Sequence, residues 1–166
     1  MRVLVTGSSG FLGQHVARFL ASDSSRDVTG FDLRPATDGK LPAIVRDFCD
    51  LGAIRQATRG MDVVVYLGGV GDVYLATDRP ELAAQANVVG TTNVAVAAAE
   101  AGARLVYAPT WEVYGPPVSD PVDERHSCRP GHIYGATKLA GEHVLNAVHE
   151  HDGLPVVILV SAPPTD

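Results

Sequence analysis

Cysteine is scarce, aromatic residues make up only 6% of the chain, and no apolar run approaches the length of a membrane span. Each scarcity closes off a class of function. The two cysteines, Cys49 and Cys128, show no CxxC or Cys/His metal spacing, so neither a disulfide framework nor a zinc module is expected, and a reducing cytoplasmic setting suits them. The longest apolar stretch, Val88 to Ala99, is broken by Gly90, Thr91, Thr92 and Asn93 and falls short of the roughly 20 residues that cross a bilayer. It reads as a buried helix. Basic charge is also short: 13 Lys and Arg against 19 Asp and Glu leave a net charge of -6, which offers no surface to nucleic acid or anionic lipid. Arg2 already opens the first apolar run, leaving no room for a cleavable leader, and a cytoplasmic protein is expected. The six histidines are dispersed without a matching carboxylate pattern, so no metal site is read; His149 and His151 fall where they complement a helix C-terminus.

What the chain does have is an alternation. Short runs rich in β-branched residues at Val3–Val5, Val28–Phe31, Ile44–Val45, Val63–Leu67, Leu105–Ala108 and Val156–Val160 predict buried parallel strands. Between them Phe11–Leu20, Leu51–Thr58, Pro80–Ala101 and Ile133–His149 carry helical spacing. With 166 residues, one domain is expected: an α/β, doubly wound Rossmann-type parallel sheet of order 3-2-1-4-5-6, in three layers, over residues 1–160, followed by a 161–166 tail. The prolines between Pro116 and Pro130 mark a loop, and the charged mix around Asp120–Arg129 reads as a solvated part of it.

Two motifs locate the chemistry. The first turn reads Thr6-Gly7-Ser8-Ser9-Gly10-Phe11-Leu12-Gly13, between strand and helix. Gly7 permits the bend, Gly10 lets backbone approach a pyrophosphate, Gly13 allows close helix packing, and amides from Phe11 and Leu12 onward face the phosphates. Asp32, about twenty residues on at the end of the second strand, is placed to accept from ribose hydroxyls. NAD is therefore preferred, while Arg34 two residues later leaves NADP admissible. The second motif, Tyr134-Gly135-Ala136-Thr137-Lys138, puts a phenol and an ammonium on one helix face. A cation there is expected to lower the phenol's pKa from about 10, so that Tyr134 accepts a hydroxyl proton as hydride leaves for the nicotinamide, with Thr110 holding the same oxygen.

Taken together, these stretches resemble the extended short-chain dehydrogenase/reductases, the NAD-dependent epimerase/dehydratase family that mostly modifies nucleotide sugars. Asp47-Phe48-Cys49-Asp50 resembles the family's D-x-x-D, whose first two residues meet adenine. Leu67-Gly68-Gly69 resembles the stretch lying along the cofactor, with Tyr66 where a histidine is frequent. Asn87-Val88-Val89-Gly90-Thr91 matches the N-V-x-G-T helix, and Thr110-Trp111-Glu112-Val113-Tyr114-Gly115 the segment bearing the catalytic hydroxyl. Within that segment Glu112 matches the carboxylate of sugar dehydratases and decarboxylases, implying a base for a carbon next to a transient ketone; a solvated loop glutamate is the alternative. Trp111 stands at the dehydratase's acid position and donates no usable proton. After Leu159 the family continues into a substrate lobe, whereas here the sequence runs Val160 to Asp166. The resemblance thus implies an NAD-dependent enzyme acting on a nucleotide sugar by epimerisation, dehydration or decarboxylation, completed by a further region, by self-association into a homo-oligomer or by a complementing chain. A noncatalytic NAD-binding module is the other reading.

Overall fold

Apolar side chains alternate along each strand because successive residues point to opposite faces of a sheet, and both faces here are apolar. The computed structural model describes residues 1–36, 39, 41–119 and 121–161. The loop residue Asp120 and all of the expected tail beyond Ser161 lie outside the described residues. The strands are β1 (Arg2–Thr6), β2 (Asp27–Asp32), β3 (Ala43–Val45), β4 (Val63–Tyr66), β5 (Arg104–Tyr107) and β6 (Val156–Ile158). They form one sheet in the order β3-β2-β1-β4-β5-β6. Every pairing is parallel, with Leu4 beside Thr29 on one side and Val64 on the other.

Helices α1 (Phe11–Ala21), α2 (Leu51–Thr58), α5 (Gly90–Ala101) and α6 (Ile133–Asp152) match the expected ones, and two short helices, α3 (Val73–Asp78) and α4 (Pro80–Ala84), lie between α2 and α5. Leu4, Val64, Tyr66, Leu105 and Tyr107 point to one face and pack with Ile54 of α2, Val94 of α5 and Leu145 of α6. Val3, Val5 and Val28 point to the other and meet Ala17 of α1. On that second face cover thins toward β6. Val5, Val65, Val106 and Val157 stand side by side in register, and exposure rises from 0% at Val5 to 44% at Val157.

Local caps fix where elements begin. Asp50 Oδ1 accepts from Gly52 N at 2.9 Å and Ala53 N at 3.1 Å, opening α2 immediately after the Asp47 turn. Asp50→Ala should cost about 1 kcal/mol, seen as a lower urea midpoint with an unchanged slope.

The stretch expected as a single helix over Pro80–Ala101 is divided. A π-helical turn, Gln85–Val89, separates α4 from α5. The extra residue lets Asn87 turn inward toward the loop after β4, and such turns recur at functional sites. Helix α3 was not anticipated. It is six residues long and started by Asp72, whose Oδ1 accepts from Tyr74 N and Leu75 N. Tyr74 and Leu75 are exposed, so the segment carries no amphipathic period for the sequence to reveal.

Candidate functional site

The carboxyl ends of β1, β2 and β4 enclose a cleft of about 550 Å³. Gly7, Gly10, Asp32, Asp47, Phe48, Leu67, Gly68 and Gly69 all line it, so eight of the expected cofactor residues converge. Leu33, Arg34, Val70, Gln85 and Ala86 also line it; Arg34 was weighed from sequence, while the others carry no motif. Gly7 adopts φ 69°, and a Cβ there would stand 2.8 Å from Gly68 N. At Gly13 a Cβ would stand 2.0 Å from Gly7 O, so α1 is seated on the glycine loop itself. Its first residues, Phe11 and Leu12, are exposed, Phe11 by 83%, with amides at the mouth of the loop.

The acidic residues of the cleft are held by backbone. Asp32 Oδ2 accepts from Ser9 N at 2.9 Å and Oδ1 from Arg34 N at 3.0 Å, clamping the end of β2 to the glycine loop. Asp47 Oδ1 accepts from Cys49 N at 2.8 Å. Phe48 sets its ring edge-on to Tyr66 at 5.7 Å between centroids, where glycine at positions 68 and 90 leaves it room, while the residue also lines the cleft. Burial and the neighbouring Asp47 push the Cys49 thiol up to about 11, which makes it a packing residue.

Asn87, buried under this floor, ties three segments. Its Oδ1 accepts from Val70 N at 2.9 Å, and its Nδ2 donates to Val70 O and to Thr137 Oγ1, both at 3.0 Å. Thr137 lies in the first turns of α6, beside Tyr134 and Lys138.

The structure brings Thr110, Glu112 and Tyr134 together. Thr110 caps the 3-10 turn Trp111–Val113, its Oγ1 accepting from Glu112 N at 3.3 Å, and its hydroxyl acts on the Tyr134 phenol. Burial pushes that phenol above its ordinary value; the Thr110 hydroxyl works against this, and the Glu112 carboxylate adds to it. The expected lowering by Lys138 is thus not what these residues produce, because desolvation outweighs the favourable contacts. Lys138 is itself only 5% exposed, and burial brings its ammonium down to about 8. Its Nζ lies 5.5 Å from the centre of the Tyr107 ring and 3.1 Å from where a Cβ at Gly69 would be. The lysine therefore reaches the cleft floor through space that Gly69 leaves open.

Sequence reading missed His132. Its Nδ1 accepts from Gly135 N at 3.2 Å, capping α6, while its Nε2 lies 3.1 Å from Glu112 Oε2. The signal was a histidine two residues before Tyr134, at the position of a helix cap. Beyond the 3-10 turn a second cavity, about 450 Å³, opens between Trp111, Tyr114, Val122 and the end of β6 at Ile158 and Leu159.

Comparison with known proteins decides the family: residues 3–163 match the NAD dependent epimerase/dehydratase family. The chain belongs to that family. NAD is the cofactor that goes with it. A UDP-glucose 4-epimerase of Streptomyces lividans is 31% identical over 164 residues, 94% of this chain and 50% of that protein. The solved dTDP-glucose 4,6-dehydratase DesIV from Streptomyces venezuelae, with NAD and TYD bound, superposes with a TM-score of 0.89 at 29% identity, covering 96% of this chain and 55% of that one. MoeE5 in complex with UDP-glucose and NAD gives 0.85 at 30% identity, over 96% and 53% respectively. The chain spans about half the length of the curated relatives it matches. Among the described residues no helix is long and apolar enough to cross a membrane.

Proposed function

We propose that this chain holds NAD in the glycine-lined cleft and, together with residues that complete the second cavity, converts a nucleotide sugar through a transient ketone. The observation that carries this is the convergence of Thr110 and Glu112 on the Tyr134 phenol, with buried Lys138 one turn along α6. The cleft fits the cofactor. Gly7 lets the loop close against Gly68, and Gly13 seats α1 on that loop, so backbone alone forms its lining, and Asp32 closes the ribose end. Gly7, Gly10, Phe11, Leu12 and Gly13 would hold the pyrophosphate, Asp47 and Phe48 the adenine, and Leu67, Gly68, Gly69, Asn87, Tyr134 and Lys138 the nicotinamide half.

Bound NAD supplies a reversible two-electron oxidant for a sugar carbinol. Tyr134 takes the hydroxyl proton while Thr110 holds that oxygen, and Glu112 takes a proton from the neighbouring carbon. Trp111 is 43% exposed on the wall of the second cavity and supplies no acid, which favours epimerisation or decarboxylation over 4,6-dehydration. The nucleotide sugar is the substrate class that the geometry and the relatives support together, and further residues at the second cavity, of this chain, a second copy or a complementing chain, would complete its grip.

The reading is tested in two steps. Calorimetric titration should show NAD bound by the chain, and UDP- and dTDP-sugars should then be converted, as seen by product analysis. Tyr134→Phe should lower turnover by about 10²- to 10⁴-fold while leaving NAD binding in place. A second reading, a noncatalytic NAD-binding module, is favoured by the raised Tyr134 phenol. NAD binding without conversion of any sugar would select it.

A further inference from the structure

Histidine is an uncommon helix cap, since Ser, Thr, Asp and Asn provide the needed acceptor at less cost. At the start of α6 it is nevertheless the His132 ring that caps, with Nδ1 accepting from Gly135 N at 3.2 Å. A backbone N–H can only donate, so Nδ1 carries a lone pair and the proton of the neutral ring sits on Nε2. That nitrogen is 3.1 Å from Glu112 Oε2. Oε2 is shut off from solvent and has no hydrogen-bond partner among the described residues. Both side chains are partly buried, which screens the contact less than a surface pair.

The approach is built into the backbone. A Cβ at position 135 would stand 2.8 Å from Glu112 O, so glycine alone lets the first turn of α6 press against the 3-10 turn. The His132 ring also lies parallel to that of Tyr134, 3° between planes and 6.2 Å between centroids. The carboxylate it meets acts electrostatically on the Tyr134 phenol. The titratable groups around this pair are therefore Tyr134 and, one turn further along α6, Lys138.

We infer that His132 positions Glu112 for proton transfer, its Nε2 held against Oε2 beside Tyr134 while its Nδ1 is committed to the helix cap. This rests on reading Glu112 as a proton-transfer group of the site. A second proton on the ring has only Nδ1 to occupy, and taking it breaks the cap. The cap thus fixes which face of the ring meets the carboxylate and where the carboxylate can sit.

His132→Asn separates the two roles, because asparagine caps well but does not reach Oε2. With NAD and the UDP- or dTDP-sugars present, deuterium exchange into the product should fall about tenfold in His132→Asn with KM unchanged, as expected of a group that acts through the proton-transfer step. Helix content by circular dichroism should hold. Imidazole ¹⁵N shifts of the unsubstituted chain should show a bare Nδ1 and a protonated Nε2. Exchange undiminished in His132→Asn but lost in Glu112→Gln, or a proton on Nδ1, overturns the assignment alone. Undiminished exchange on Glu112→Gln sinks the base role of Glu112, and the assignment with it.

Discussion

Replacing Lys138 with methionine should make the folded chain more stable at neutral pH, by about 2 to 3 kcal/mol, while disabling the cofactor site. Burial brings the ammonium from 10.5 down to about 8. Each unit of such a shift corresponds to about 1.4 kcal/mol, so keeping the charge inside costs of order 3 kcal/mol wherever both states are protonated. The sign follows from proton counting. Below about pH 8 folded and unfolded chains both carry the proton and the full cost applies. Between about 8 and 10.5 the unfolded chain keeps a proton that the folded one has released, so stability rises with pH; above 10.5 the cost is gone. Methionine keeps the length of the side chain and removes the charge, so the variant should melt several degrees higher at pH 7 and lose this rise. Thermal melts at pH 7, 9 and 10.5 on both proteins check it. A lower melting temperature for Lys138→Met at pH 7 would show that the ammonium is supported by contacts stronger than its desolvation. A residue that destabilises the fold where it stands is what a functional site requires.

Gly13→Ala should act in the opposite direction. On helix propensity alone, alanine in place of glycine inside α1 would stabilise by about 1 kcal/mol. Here the new methyl group would stand 2.0 Å from Gly7 O and 2.7 Å from the Gly7 carbonyl carbon, both backbone atoms that cannot swing aside. Overpacking of this kind costs about 3 kcal/mol. The clash therefore wins, by a net loss of about 2 kcal/mol, and the glycine loop must shift to accommodate it. Urea unfolding should show the lower stability, and calorimetry the disappearance of NAD binding. Gly71→Ala is the matched control, since a Cβ there meets nothing within 4 Å. Equal behaviour of the two variants would mean that α1 does not sit on the loop as described.

Much of this architecture was legible because its signals are local. Six β-branched runs separated by helical spacing specify a parallel sheet, and the glycine loop with Asp32 specifies which strand ends form the cleft. The helices at Phe11–Ala21, Leu51–Thr58 and Ile133–Asp152 also fell where the periodicity put them, whereas the stretch expected over Pro80–Ala101 is divided. What escaped depends on contacts between distant segments. The π-helical turn exists so that Asn87 can reach Val70 and Thr137, seventeen and fifty residues away in sequence, which no periodicity encodes. The motif places Phe48 at the cleft, but that its ring also fills space left by Gly68 and Gly90 depends on glycines twenty and forty-two residues away. Lys138 was read as a cation that lowers the Tyr134 phenol. The sequence shows the spacing of the two residues but not the burial that reverses the balance. His132 looked like one of several scattered histidines, because its role depends on where the Trp111–Val113 turn falls.

Strand β1 lies inside the sheet, bonded on one side to β2 and on the other to β4, with Val3 facing both Val28 and Val63. During synthesis β1 must therefore wait some sixty residues with one edge open before its second neighbour exists. Closing contacts so far apart is slow, and an open apolar edge invites wrong pairings meanwhile. Assembly of this protein should accordingly be paced by the arrival of β4, and its vulnerable period is the interval on the ribosome between Thr6 and Val63.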